Sequence, residues 1–268
     1  MNQRFDMQNT EPERNRSGAV RRALGILEAL VEPSASGHPV SLAELARTTG
    51  LNKATLLRLS EPLQEAGLVS RDGLGHFALG VGALRLGEAY LAGVDLRGAA
   101  RPILEELVAD SGETAHLVVF DEPYVVYVDK VDSTSAVRMH SRIGGRMPLY
   151  CTAAGKAMLA WLPGETVDRV LALPTPPRTE RTLTSAAAVR ENLAVIRERG
   201  WSMDDVENEP DIRCVGAPVF DRSGAVVGAC SLSGPDQRIT PSRALELGPR
   251  VRAAADAIGR RLGATTTH

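Results

Sequence analysis

The stretch Ser41 to Gly67, SLAELARTTGLNKATLLRLSEPLQEAG, restricts the fold of this chain more than any other. Leu42, Leu45 and Ala46 give one apolar helical face, Gly50 interrupts it, and Leu56, Leu59 and Leu63 resume it at helical spacing. Two short helices about a glycine turn make a helix-turn-helix. Ser41 with Glu44 three residues on fits a capping box, and Asn52 is placed to cap the second helix. From Leu45 to Ser60 there are three cations, Arg47, Lys53 and Arg58, and no acid, so this surface can face phosphates without local repulsion. Pro62 sits ten residues into the second helix, where it cannot donate to the carbonyl of Arg58; a bend or an early end is expected there.

The flanking segments enlarge this motif into a module. Val20, Leu24, Leu27 and Leu30/Val31 predict a helix from Ser17 that ends before Pro33. After Gly67, LVSRDGLGHFAL places Leu68/Val69 and Phe77/Leu79 around a Gly73/Gly75 turn, the pattern of a hairpin wing. A winged helix-turn-helix of residues 17–80 is therefore expected, about 65 residues, a size that folds alone. If its second helix enters a major groove, Asn52, Lys53, Thr55 and Arg58 read bases while Ser41, Arg47, Arg71 and His76 meet phosphates. The same residues on a solvated face would contact nothing. Within 17–80 six cations face six acids, so any DNA contact must be local. Arg21 and Arg22 are expected on the outer face of the first helix, available to DNA or to a partner subunit.

The remaining chain changes texture. GVGALRLGEAYLAG, within a linker of 81–94, and Asp95–Ser111 read as helices; after Gly112, AHLVVF, PYVVYVDKV and AVRMH read as strands. RIGGRMPLY reads as a Gly/Pro loop, Thr152 to Trp161 as a helix, TPPRTERTLTS as a polar loop and Ala186 to Arg199 as a helix. WSMDDV, IRCVGAPVFD and AVVGACSLSG read as strands, the last two paired at Ser223–Gly224, and Ala244 to Leu262 as a closing helix. The expected fold is α+β in two domains, the second spanning 95–268. Residues 1–16 have almost nothing apolar and are expected to be a disordered tail. With no long apolar run and no signal-like start, the chain is expected in the cytoplasm and not in a membrane. Cys151, Cys214 and Cys230 lack a CxxC pair, which suits reduced thiols.

Five of these stretches, in this order, are those of a known family: RALGILEAL (22–30), SLAELARTTGLNKATLLRL (41–59), DLRGAARPILEELVADSGETAHLVVFD (95–121), YCTAAGKAMLAWLP (150–163) and ENEPDIRCVGAPVFDRSGAVVGACSLSGP (207–235). The chain resembles the IclR-type bacterial transcriptional regulators over residues 17 to 263. The resemblance implies a winged helix-turn-helix, a linker helix and a GAF-like mixed α/β effector-binding domain, assembled as homodimers or dimers of dimers on palindromic double-stranded operator DNA. It also implies a small organic effector, a carboxylate or an aromatic catabolite, and no cofactor or metal. Carried over by position, Asp204, Cys214, Ser231 and Ser233 are polar contacts, Ala153 and Ala154 start a helix whose amides face the ligand, and Arg146, Met147, Leu149 and Tyr150 form an apolar lid. Tyr150 stands where the family usually has His, and Asp211 where it often has Gly.

Rival readings exist for several of these residues. Cys214 is a pocket-lining thiol or, with no Cys or His at ligand spacing, at most a weak metal or redox candidate. His116 and His140 are core or edge histidines, or they line a cavity. Asp204 and Asp205 are an acid/base pair only if the C-terminal domain is an enzyme, yet no nucleophile with a partner base accompanies them, and GxSxG, HExxH and P-loop patterns are missing. The expected function is a ligand-responsive DNA-binding regulator of a metabolic or catabolic operon, a repressor. The alternatives are an enzyme acting on a small metabolite and a winged helix that binds protein instead of DNA.

Overall fold

A computed structural model describes residues 18–92, 95–134 and 141–265. The tail expected over 1–16, Ser17, and the AVRMH strand with His140 lie outside the described residues. The chain divides into two compact units between Gly93 and Val94.

In the first unit, α1 (Gly18–Ala35), α2 (Leu42–Thr49) and α3 (Lys53–Glu65) precede the hairpin β1 (Val69–Arg71) and β2 (Phe77–Leu79) and helix α4 (Val81–Ala92). Ile26, Leu30, Val40, Leu45, Leu56, Leu59, Val69 and Phe77 form its core. Gly50, left-handed at φ 68°, ends α2, which is the conformation a glycine C-cap adopts at least cost. In the wing, Val69 pairs with Leu79 and Arg71 with Phe77.

Three expectations change here. Helix α1 continues through Pro33 to Ala35, because a proline near a C-terminus costs one hydrogen bond, and the Leu79 N–H donates to Ser34 Oγ at 2.8 Å to hold that turn. Helix α3 likewise runs past Pro62 to Glu65, so of the two outcomes expected there the early end does not occur; the core residues Leu56 and Leu59 and the partly buried Leu63 hold it across the lost bond. The core face of α1 is Ile26 and Leu30; Val20 and Leu24, expected inside, are 60% and 54% exposed.

The second unit begins with α5 (Asp95–Ser111), then β3 (Thr114–Asp121), β4 (Tyr124–Val131), β5 (Arg146–Pro148), α6 (Ala153–Leu159), α7 (Gly164–Leu171), α8 (Ala186–Arg199), β6 (Ser202–Asp205), β7 (Ile212–Phe220), β8 (Val226–Pro235) and α9 (Pro241–Arg261). The strands form one sheet in the order β5-β4-β3-β8-β7-β6, each neighbouring pair antiparallel. Strand β5 lies within the segment expected to be a loop; a three-residue edge pairing with β4 is too short to show a period in sequence. Helix α7 was not expected, although Val167, Val170 and Leu171 are its buried side.

Helices α5 and α9 pack against each other and on one face of the sheet, α6 on the other. Period-two alternation on β8 shows the division: the Cys230 thiol reaches the Val251 carbonyl of α9, whereas Ala229 belongs to the cluster built around α6. Helix α6 comes down directly on β7. A Cβ at Gly216 would lie 2.9 Å from Ala153 C and Ala154 N, closer than side chains tolerate, and Ser202 Oγ donates to the Ala153 carbonyl at 2.5 Å. Gly216→Ala is therefore expected to lift α6 from the sheet and to destabilise the protein by about 1–3 kcal/mol, the usual cost of overpacking, measured by urea unfolding.

Candidate functional site

Two places bring the expected residues together. The first is the exposed face of α3. Asn52 caps the helix, its Oδ1 accepting the Thr55 N–H at 2.8 Å; Lys53, Ala54, Leu57 and Arg58 are exposed beyond it, and Thr55 is half-buried. Ser41 makes the expected capping box on α2: its amide donates to Glu44 Oε2 at 2.9 Å and the Glu44 N–H to Ser41 Oγ at 3.3 Å. Its hydroxyl also donates to Glu44 Oε2 at 2.7 Å, so both Ser41 donors serve α2 and one must be released before it can bond a phosphate oxygen. Arg47 is exposed in the last turn of α2.

Within the wing both expected phosphate contacts already have internal partners. Arg71 Nε donates to the Gly75 carbonyl at 3.3 Å, and its guanidinium lies 5.2 Å from the centre of the Phe77 ring. His76 Nδ1 is 3.2 Å from Asp72 Oδ2. The wing tip is instead Leu74, 85% exposed. Leu57 and Leu74 were not among the expected contacts. Leu57 was legible, since burying Leu56, Leu59 and Leu63 turns the intervening Leu57 outward; an outward leucine beside two cations suits thymine methyl contact.

The second place is a cavity of about 140 Å³ between the start of α6 and the sheet. Two rungs of the ladder build its floor. Asp204 pairs with Cys214, Cys214 with Ser233, and Ser233 with Thr114; one step along, Ser202 pairs with Gly216, Gly216 with Ser231, Ser231 with His116, and His116 with Lys130. Directly paired residues project from the same face, so the register collects polar groups that are distant in sequence. Of the ten expected effector residues, Met147, Ala153, Ala154, Asp204, Cys214, Ser231 and Ser233 line the cavity.

Arg146, Leu149 and Tyr150 do not. Strand β5 alternates, so Met147 points inward opposite Val125 while Arg146 faces out to Asp121 at 3.2 Å. Leu149 is in the core, and the Tyr150 hydroxyl donates to the Pro176 carbonyl at 2.6 Å. The expectations missed Tyr127, Ser141, Thr152 and Asn208 in the lining. Thr152 had a readable signal, as an N-cap whose Oγ1 accepts the Gly155 N–H at 3.2 Å.

Electrostatics at the cavity centre on a buried trio. The Lys156 ammonium donates to Glu207 Oε1, and Asp204 Oδ1 accepts the backbone N–H groups of Glu207 at 2.6 Å and Asn208 at 3.3 Å. One cation among two buried acids cannot neutralise both. Burial raises both carboxyls above their ordinary range; Lys156 offsets this in part at Glu207, and the Asp204 carboxyl is pushed up to about 7. Burial also holds the Cys214 thiol well above its ordinary range, so it is no thiolate ligand. Among the described residues no cluster of three or more His, Cys, Asp or Glu is placed to hold a metal.

His116 stands behind the cavity wall, buried, and is pushed down to about 3 by burial and by Lys130. Asp204 and His116 have opposite linkage. The native Asp204 binds more protons than the unfolded residue between about pH 4 and 7, so its contribution to stability falls as pH rises through that window. The native His116 binds fewer between about pH 3 and 6.5, so its contribution rises. From about pH 4 to 6.5 the two slopes cancel. Relative to the parent, Asp204→Asn should make stability climb with pH across this range by up to about 1.4 kcal/mol per unit, and His116→Gln should make it fall by as much. Urea titrations at half-unit pH steps measure both.

Comparison with known proteins joins the two places. The family model described as "Bacterial transcriptional regulator IclR C-terminal" matches residues 88–260, and "IclR helix-turn-helix domain" matches residues 19–73. The chain is similar to the transcriptional repressor IclR of Escherichia coli, 37% identical with 92% of this chain and 90% of that protein covered. It is 36% identical to the acetate operon repressor of Salmonella typhimurium, with 96% and 94% covered. The solved structure of Thermotoga maritima IclR superposes with a TM-score of 0.73 at 30% identity, covering 92% of this chain and 100% of that one.

Proposed function

The chain belongs to the IclR family of bacterial transcriptional regulators, and on that premise we propose that it is a homodimeric repressor whose α3 helices read a palindromic operator and whose C-terminal cavity takes a small carboxylate effector. Membership makes it a DNA-binding regulator of a metabolic operon, and the enzyme alternative falls with it. Among the described residues no helix is long and apolar enough to cross a membrane, and the cytoplasm is the proposed location.

The observation that carries the DNA reading is the exposed face of α3, where Lys53, Leu57 and Arg58 stand over the helix's first turns, ahead of Glu61, on a helix locked to its core by Leu56 and Leu59. Lys53, Arg58 and Asn52 Nδ2 are the proposed base contacts, with Thr55 at the helix edge. Arg47 is the proposed phosphate anchor, joined by Ser41 if it releases a donor from Glu44, and by Arg71 and His76 if the wing opens its internal bonds on docking. A carboxylate effector fits beside Asp204 because the Asp204 carboxyl is protonated below about pH 7 and then donates a hydrogen bond.

Exposed apolar residues on two helices of the first unit support pairing. Val20, Leu24 and Val31 share one face of α1, while Leu84 and Tyr90 of α4 are 61% and 58% exposed. An apolar patch of this kind on a soluble unit marks an interaction surface. Leu24→Glu with Leu84→Glu is expected to shift the protein to monomer in analytical ultracentrifugation and to weaken operator binding; an unchanged sedimentation coefficient removes this interface from the proposal.

The DNA reading is tested with fragments from the intergenic region beside its own gene. Lys53→Ala and Arg58→Ala should each cost about 1–3 kcal/mol of binding, roughly five- to 150-fold, with an unchanged melting temperature. Affinity should fall steeply as salt rises, since each neutralised phosphate releases counterions. A flat salt response would favour the protein-binding alternative.

A further inference from the structure

One buried group beside the cavity is left without a role by the reading above. His116 is 1% exposed, lies 4.9 Å from the Tyr127 ring centre, and is not itself in the lining. Its two ring nitrogens meet two hydroxyls that are: Nε2 is 2.6 Å from Ser141 Oγ and Nδ1 is 3.4 Å from Ser233 Oγ. Both serines are anchored. The Lys130 ammonium donates to the Ser141 carbonyl at 2.9 Å, and Ser233 is paired with Cys214 and Thr114 in the ladder. The charged groups nearest the imidazole are Lys130 and Asp132, which pair with each other at 2.9 Å; beyond Ser233 and Cys214 lies Asp204.

A neutral imidazole has one N–H and one lone pair. Bonded at both ends, it cannot treat two hydroxyls alike. Where the ring N–H donates, the serine oxygen is used as acceptor and its own proton is left for another partner. Where the ring lone pair accepts, the serine spends its proton and turns lone pairs to the cavity. With the ring N–H on Nε2, Ser141 keeps a proton for a ligand while Ser233, whose proton goes to Nδ1, offers an acceptor; with it on Nδ1 the roles exchange, and the Ser233 proton is then shared with the neighbouring Cys214 sulfur.

We propose that His116 is a positioning residue that fixes opposite hydrogen-bond polarity on Ser141 and Ser233, and so makes the cavity prefer a hydroxycarboxylate, which supplies both donor and acceptor, over an unsubstituted carboxylate. This rests on the reading of the cavity as an effector site. An unsubstituted acid leaves at least one of these hydroxyls unpaired in a closed space, a loss comparable to a missing hydrogen bond.

The test has two arms on the full-length protein. In the first, histidine-labelled protein is followed by ¹⁵N–¹H correlation of the imidazole nitrogens from pH 7.5 to 5, with the His116 signals identified by their loss in His116→Gln. A single neutral tautomer throughout is expected; titration in the ordinary histidine range, or averaging of the two tautomers, overturns the proposal. In the second, lactate and propionate, which differ by one hydroxyl, are titrated calorimetrically. The parent should bind lactate at least tenfold more tightly, and His116→Phe, which keeps a ring but no hydrogen bond, should reduce that ratio to near one. A ratio unchanged in His116→Phe overturns the positioning role even where that variant is less stable, because both ligands meet the same protein. If neither acid binds while the tautomer is locked, the hydroxycarboxylate preference and the effector reading fail together; if both bind alike with His116 titrating, only the present inference fails.

Discussion

The contact between the first turn of α6 and strand β7 is the constraint on which the C-terminal unit depends. Gly216 has no side chain, so the backbone of Ala153 and Ala154 sits where a Cβ would otherwise be, and Ser202 ties the Ala153 carbonyl to the sheet from the neighbouring strand. Everything polar in the cavity is arranged about that seat. Gly216 pairs with Ser231, the rung beside it holds Asp204, Cys214 and Ser233, and the gap between helix and sheet is the cavity. Helix α6 also carries Lys156, fully buried, so the same docking that opens the cavity delivers the cation that holds Glu207.

The loop after β6 meets this arrangement at some cost in backbone strain. Val206 and Asp211 both adopt left-handed φ of 62°, uncommon for any residue but glycine and least tolerated by a β-branched one. The strain persists because the surroundings over-determine it: the Val206 carbonyl accepts the Thr179 hydroxyl at 2.7 Å, and Asp204 Oδ1 accepts the amides of Glu207 and Asn208. Between the two strained residues the loop places Asn208 and Glu209 on the cavity. Asp211 stands where the resemblance leads one to expect glycine, and its conformation gives the physical reason: an aspartate tolerates the left-handed region better than most residues, but glycine occupies it freely.

Local patterns were readable in the sequence and register was not. The caps at Ser41, Asn52 and Thr152 each depend on residues within three positions, and the first two could be placed from spacing alone. Ser231 and Ser233 share a face because strands alternate. Nothing local says that Ser233 lies beside Cys214, or that His116 faces Ser231, since those pairings follow from how three hairpins align. The same limit explains Tyr150: a family position put it in the cavity, whereas the chain direction after β5 sends it to Pro176. Helix α1 fails differently. It has apolar residues on two sides, and periodicity alone could not tell which one meets the core.

That second side and the weak charge of the N-terminal unit bear on one another. Six cations against six acids over residues 17–80 leave no general attraction to DNA, and the wing turns Arg71 and His76 toward its own backbone and Asp72. A single module therefore has few cations to offer DNA, chiefly the proposed phosphate anchor Arg47 beside the proposed base contacts Lys53 and Arg58. Joining two modules makes the second binding event intramolecular, which multiplies affinity without any new contact type and doubles the counterions released. The proposed pairing through Val20, Leu24 and Leu84 thus does for affinity what net charge does elsewhere, and it makes binding depend on half-site spacing. An effector acting on such a dimer need not touch the DNA contacts at all. In the proposed dimer, a change of a few ångströms in the spacing of the two α3 helices would remove the intramolecular advantage, so modest differential binding in a small cavity would be enough to release the operator.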